Sequence, residues 1–231
     1  MTGTEILNLA SSILGDETID ETFGLQMLNV LREIYEGKRP WQVLKKVDSS
    51  VSVTGANTYT TPHAVPSDLR YYIGDGSIQL FDGTNIPDVC TECPFEEQVM
   101  RKNNSFEFCV DYGARLFYIM GVLPKSYTVY QWYISDPGDI EADTEWLKFP
   151  ARFHPILAYE LAAMWRLGTD YDDVAARNAD DNARRADLLF KVMEQWDTKL
   201  ALSAVKNVEY PQHMSGKNVG DRNGPRGTRR Y

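Results

Sequence analysis

Cysteine is scarce in this chain, and the three that occur, Cys90, Cys93 and Cys109, are an odd number. A disulfide framework needs pairs and an oxidising compartment, so these thiols are expected to be reduced. Cys90-Thr-Glu-Cys93 has the spacing of a zinc knuckle, yet a structural zinc site takes four ligands and no second Cys or His pair follows at short spacing. His63, His154 and Cys109 stand alone, so no metal is expected. Long apolar runs are also missing: nowhere do about 18 apolar residues follow one another, as a membrane-crossing helix would need. The opening Met1-Thr-Gly-Thr-Glu5 has neither the basic nor the apolar part of an export signal, so synthesis in the cytoplasm and no membrane partner are expected. Nucleotide signatures are absent as well. Gly74-Asp-Gly76 lacks a third glycine and a strand-to-helix context, and no Gly-x-x-x-x-Gly-Lys-Ser/Thr occurs. His154 has no Ser or Cys partner in a local signature and reads as a capping or packing residue. The series Asp75, Asp82, Asp88 and Asp136, Asp139, Asp143 lack the spacing of a calcium loop and read as solvated turn residues. No catalytic residue and no cofactor are therefore expected.

What is present is enough for a real core. A chain of 231 residues with 43% apolar content can form one large domain or two small ones. Thr2-Gly-Thr-Glu5 and Thr18-Ile-Asp-Glu21 are capping-box patterns, in which a Thr hydroxyl and a Glu carboxylate satisfy free amides at a helix start. The first predicted helix carries Ile6, Leu9, Ala10, Ile13 and Leu14 and stops at Gly15; the second carries Leu25, Met27, Leu28, Leu31, Ile34 and Tyr35 and stops at Gly37. After Trp41 the texture turns β-branched and aromatic. Residues 47–53 and 58–61 around Gly55-Ala-Asn57 read as a hairpin, followed by strands over 69–73, 78–81, 106–110, 116–120 and 127–134, with a short helix over 94–102. The last strand has aromatics on both faces, including Tyr130, Trp132 and Tyr133, and both faces are expected to be covered.

A helix opening at Pro150 carries Leu157, Leu161, Met164 and Trp165 and stops near Gly168. A longer one, from Asp170 to about Leu202, begins with a polar half holding Arg177, Asp180, Asp181, Arg184 and Arg185, and shows Leu189, Met193, Trp196 and Leu200 later. The two helical pairs are expected to form one bundle, with Leu28, Leu31, Leu157, Leu161, Trp165, Leu189 and Trp196 in its core, because neither pair alone can bury its stripe. The expected fold class is α+β: a helical bundle from residues 1–41 and 145–203, a β-rich insertion over 42–144 that projects from it, and an extended arm over 204–231.

Charge sets that arm apart. From residue 206 onward Lys206, Lys217, Arg222, Arg226, Arg229 and Arg230 outnumber Glu209 and Asp221, in a chain whose total is −9. Pro and Gly punctuate the segment and no periodicity runs through it, so it reads as a solvated terminus or as a docking arm. Tyr210 and Tyr231 are the aromatic handles that favour docking, with Arg222, Arg226, Arg229 and Arg230 as donors to an acidic surface.

The layout resembles a known family. Trp41 follows a helical pair, then come Tyr59-Thr-Thr-Pro62, Val65-Pro-Ser-Asp-Leu69 and a long aromatic strand ending near Asp136-Pro137. Leu147-Lys-Phe-Pro-Ala-Arg-Phe-His154 then opens a Leu/Ala-rich helix and an Ala/Arg/Asp-rich one. This order is similar to that of tailed-phage head-to-tail adaptors of the tail tubular protein A and head-completion type. The resemblance implies a virion protein at the head-tail junction, assembled as a ring that is dodecameric in the family. Such a ring binds the portal protein above and a tail or nozzle protein below, and frames a DNA channel without gripping the DNA. It carries over no catalytic residue, and the arm only as a region that reaches the portal. A ring subunit needs two unlike faces, and the mixed charges of Arg177, Asp180, Asp181, Arg184 and Arg185 suit a subunit interface. The alternatives are a nucleic-acid-binding protein that uses the Arg-rich tail and a small metalloprotein that uses Cys90 and Cys93.

Overall fold

The computed structural model describes residues 1–15, 17–55, 59–146, 148–169 and 173–206. Over these the chain is α+β, with four helices and two sheets. Helix α1 (Gly3–Ile13) begins in a complete capping box: Thr2 Oγ1 accepts from the Glu5 amide at 3.3 Å and Glu5 Oε2 accepts from the Thr2 amide at 3.0 Å. It ends before Gly15, whose φ of 85° suits a residue without a Cβ. Helix α2 (Glu21–Gly37) does not use the expected box at Thr18. Asp20 is the cap, and its carboxylate accepts from the Phe23 amide at 2.8 Å. A charged acceptor also complements the positive end of the helix dipole, which a hydroxyl two residues earlier does not. At Gly24 an added Cβ would lie 2.6 Å from the Leu7 side chain, so glycine lets α1 and α2 approach.

The third helical segment starts as a 3-10 turn over Ala151–Phe153, and α3 proper (Pro155–Thr169) opens on a proline, which needs no amide partner in a first turn. Helix α4 (Asp173–Lys206) has 34 residues and is about 50 Å long.

Among the described residues, nine strands lie between α2 and α3. These are β1 (Lys45–Val53), β2 (His63–Ala64), β3 (Leu69–Tyr72), β4 (Ile78–Phe81), β5 (Asp88–Val89), β6 (Thr91–Glu92), β7 (Glu107–Asp111), β8 (Leu116–Ile119) and β9 (Tyr127–Ser135). Of the expected hairpin of 47–53 with 58–61, residues 56–58 lie outside the described residues, and residues 59–61 form no strand. Instead β1 pairs antiparallel with β9, from Lys45 opposite Ile134 to Val53 opposite Tyr127. Strand β9 is the longest run of buried β-formers available, and its other edge takes β3 and β4. The second sheet, β2-β8-β7-β6, is antiparallel except for the parallel pair β6 and β7. The helix expected over 94–102 shrinks to a 3-10 turn at Phe95–Glu97, because the segment has no buried face: Val99 and Met100 point to solvent.

The four helices share one core. Ile6 and Ala10 come from α1, Leu28, Leu31 and Tyr35 from α2, Leu157 and Leu161 from α3, Ala186 and Met193 from α4, and Trp41, Trp146 and Phe149 fill in from the connections. Leu189 and Trp196 pack at its border. Trp165 does not belong to it. It lies a turn beyond Leu161, where the first turn of α2 covers it with Phe23, ring centroids 5.9 Å apart. A second core, around Ile78, Phe108, Phe117 and Val129, lies within the β region, and Cys93, Cys109 and Met120 form a third, smaller cluster.

Candidate interaction surfaces

The outward face of α4 is the surface that the sequence singled out. Helical period places Ala179, Asn182, Ala186 and Met193 on the inner side, all buried, so Arg177, Asp181, Arg184 and Arg185 fall on the outer one. Asp180 and Arg184 pair one turn apart at 2.6 Å, both largely exposed, and the Arg185 guanidinium lies 5.8 Å from the Tyr159 ring centroid. The structure thus brings these five residues onto one open, mixed-charge stretch of helix. Exposed pairs of this kind add about 0–1 kcal/mol to stability, so folding alone gives them little reason to be there. The other expected docking residues, Tyr210, Arg222, Arg226, Arg229, Arg230 and Tyr231, lie outside the described residues.

The β9 face that was expected to be covered is partly open. Alternate residues Tyr127, Val129, Gln131 and Tyr133 are buried, but on the other face Trp132 is 43% exposed beside its cross-strand neighbour Val47, and Phe81 packs on Tyr130. The helices reach only the Ile134 end of that face, because β9 runs away from them.

Sequence reasoning missed a buried ionic node. Glu36, fully buried, accepts from Arg32 Nη1 at 3.1 Å, Arg70 Nη1 at 2.8 Å and Trp146 Nε1 at 2.9 Å. Arg32 also donates to Asp136 and Asp139, each at 3.0 Å. Burial pushes the Glu36 carboxyl up and the Arg32 guanidinium down, but for Arg32 the carboxylates of Glu36, Asp136 and Asp139 outweigh burial and hold it charged. The node ties α2 to β3 and to the chain leaving β9. Its signal was in the sequence: Arg32 and Glu36 stand on the same side of α2 as Leu28 and Tyr35, where a charge must have a partner. Asp197, also fully buried, does the same for α4. It accepts from the Gln42 amide at 2.7 Å and lies 3.3 Å from Arg39 Nη2.

Several other polar groups are tied up structurally. His154 is fully buried, with Nε2 2.9 Å from the Phe149 carbonyl and Nδ1 3.1 Å from the Met1 carbonyl, which is the packing role expected of it. Asp82 is not a solvated turn residue. Its carboxylate takes the Thr84 and Asn85 amides and Lys125 Nζ, and these, Lys125 first, hold its carboxyl far below the usual range. In a cleft of about 350 Å³ between β1 and the segment before β3, Asp68 receives Lys46 Nζ and the Tyr133 hydroxyl at 2.8 Å. Burial pushes the Cys90 and Cys109 thiols up to about 12, which leaves almost no thiolate at neutral pH. Among the described residues no group of three or more His, Cys, Asp or Glu side chains is placed to hold a metal, and no helix is long and apolar enough to cross a membrane. The chain matches no known protein-family model and no curated protein.

Proposed function

We propose that this protein is a structural head-to-tail adaptor of a tailed-phage virion, one subunit of a ring that docks on the portal protein, connects it to a tail or nozzle protein and frames the DNA channel. In this reading residues 1–41 and 145–203 are a bundle that forms the wall of the ring, 42–144 projects from it, and 204–231 is the arm that reaches the portal. The observation that carries the reading is the placement of α4. One side is anchored in the shared core by Ala179, Ala186 and Met193, while Arg177, Asp180, Asp181, Arg184 and Arg185 stand outward along an open helix with both signs of charge. A closed ring needs such a face, and the acidic balance of −9 suits a channel past which DNA slides without being held. The protein acts by assembly and uses no cofactor.

The test is imaging of the purified protein alone and mixed with a portal protein, beside a form truncated after Lys206. Rings on the portal from the full chain and none from the truncated form are expected. Equal portal binding by the two forms removes the docking arm from the reading, and no binding by either removes the adaptor itself.

A second reading, a nucleic-acid-binding protein working through its Arg-rich tail, is favoured by exposed Trp132, an aromatic face on an open sheet of the kind on which bases stack. DNA retention that falls with salt and is lost on the same truncation would support it.

A further inference from the structure

Resting on the ring reading, we propose that successive copies meet head to tail, with an apolar stripe on α2 of one copy seated on the outward face of α4 of the next. On α2, Phe23, Met27, Val30 and Ile34 recur at i, i+4, i+7 and i+11 and so line one side of the helix. Most of this row lies away from the side that enters the core, which holds Leu28, Leu31 and Tyr35; only Met27 also packs against that core. Phe23, Val30 and Ile34 are 47%, 47% and 50% exposed. Trp165, packed on the Phe23 ring, continues the stripe onto α3. On α4, Leu188 and Val192, one turn apart, are 63% and 52% exposed, and exposed Val174 and Leu202 stand on the same line, four turns before and after Leu188. A lone exposed leucine needs no explanation. Rows of apolar side chains along two helices do.

Charge decides which row fits which. Between Gly15 and Lys38 the only basic residue is Arg32, and it is buried, so the charge that flanks the row on α2, Glu33, is acidic, while Glu21 faces α1 and accepts from Thr4 Oγ1. Around Leu188 on α4 the helical period brings Arg177, Arg184, Arg185 and Lys199 to the same side, with Asp181 among them and Asp180 at its edge paired to Arg184, so the row is basic in balance. Two α2 rows facing each other would set acid against acid, and two α4 rows base against base. The unlike pair is the complementary one. Because the rows differ and sit on different helices, joining them leaves a free α2 row at one end of a growing assembly and a free α4 row at the other, the condition for a head-to-tail contact that closes. The mixed charges at the start of α4 then fix register, and Leu188 and Val192 form the dry centre.

Cross-linking of full-length chains tests the pairing. Val30→Cys and Leu188→Cys variants, mixed and oxidised with copper phenanthroline, should give a disulfide-linked dimer that neither variant gives alone; the native thiols, all buried, do not compete. Val192→Glu places a charge in the contact at an exposed helical site, so the variant should keep the wild-type far-ultraviolet circular dichroism and thermal midpoint. Its self-association, by sedimentation with or without portal, should weaken about a hundredfold or more. Links of 30 to 30 or 188 to 188 as the main product would overturn the pairing. So would rings that form undiminished from Val192→Glu, an outcome that leaves the adaptor reading standing. If the mixed cross-link is absent from the full chain and appears only on truncation after Lys206, the arm itself covers the stripe and the pairing falls. A wild-type chain that never assembles, alone or on a portal, overturns the pairing and the ring together.

Discussion

The helical side and the β region of this chain both exclude water, but different residues do the excluding. In the helices, broad rings (Trp41, Trp146, Phe149, Phe153) are set against small residues on α3 and α4 (Ala158, Ala162, Ala186), so two long helices approach closely and aromatics fill the space beside them. In the β region the core is made of β-branched and aromatic side chains from alternating strand positions, with the thiols of Cys90, Cys93 and Cys109 as small fillers. The two cores also differ in reach. The helical one joins α1 and α2 to α3 and α4 across more than a hundred residues of intervening chain, whereas the β7 and β8 pair of the other core is a neighbouring hairpin. The pairing of β1 with β9 makes both possible. It sets Lys45 opposite Ile134, so the inserted region begins and ends at one place and the helices meet as if little lay between them. Loop-closure entropy grows only slowly with length, so such an insertion is tolerated. The difference teaches that the joint is where the two regions depend on each other, and the joint combines strand pairing, the packing of Ile134 and Tyr71 on the helical core and the ionic node at Glu36.

The largest effect should come from cutting that joint. Glu36→Ala leaves Arg32 buried and Arg70 and Trp146 without their acceptor, and should lower unfolding stability by about 3–5 kcal/mol in urea titrations. A midpoint equal to wild type would mean that the node does not hold the two regions together. Next comes Leu161→Ala, in the helical core, with about 2–5 kcal/mol lost in the same assay. Its sharper use is as a probe of independence. Labelling of Cys90 and Cys109 by a thiol reagent should be accelerated far less than global unfolding if the β core opens on its own, and in step with it if the two cores are one cooperative unit.

A smaller effect concerns pH. Burial works against the Asp68 carboxylate, but Lys46 and the Tyr133 hydroxyl outweigh it and hold the carboxyl below its ordinary value. A group depressed in the folded chain lends stability above its unfolded pKa and loses it as pH falls through the folded one. Asp68→Asn should therefore be less stable than wild type at pH 7, with the gap closing below about pH 4; a gap that stays constant to pH 2 would deny Asp68 that role. Smallest is Trp132→Ala on the open sheet face. A loss under about 1 kcal/mol is expected, since an exposed side chain gives up little on truncation. A loss as large as that of Leu161→Ala would show that the face is covered after all.

These contrasts also mark what could be read from the residues. The α4 face was legible because charge at Arg177, Asp181 and Arg184 alternates with alanine at a helical period. The Arg32 and Glu36 node was half legible: two charges on the apolar side of a helix announce partners but do not name Arg70, Asp136 or Trp146, which come from distant segments. Trp132 was misjudged because an aromatic residue in periodic register says which side it faces and not whether anything lies there, and Trp165 because the period does not say which neighbour will cover it: Phe23 at the start of α2 does, outside the shared core.

The sequence by itself determined where the four long helices lie and most of the dry side of each, because the 3.6-residue period and the cap at Thr2 are local; it misplaced the cap of α2, which is Asp20, and counted half-exposed Ile34 in the dry stripe. Only the tertiary structure decided that β1 would leave its nearer neighbour for β9, that Glu36 would gather two arginines and an indole, and that the rows on α2 and α4 would be left facing solvent. Strand partners and buried ion pairs are chosen by contacts between residues far apart in the chain, where shape and desolvation set the outcome and no local rule reaches.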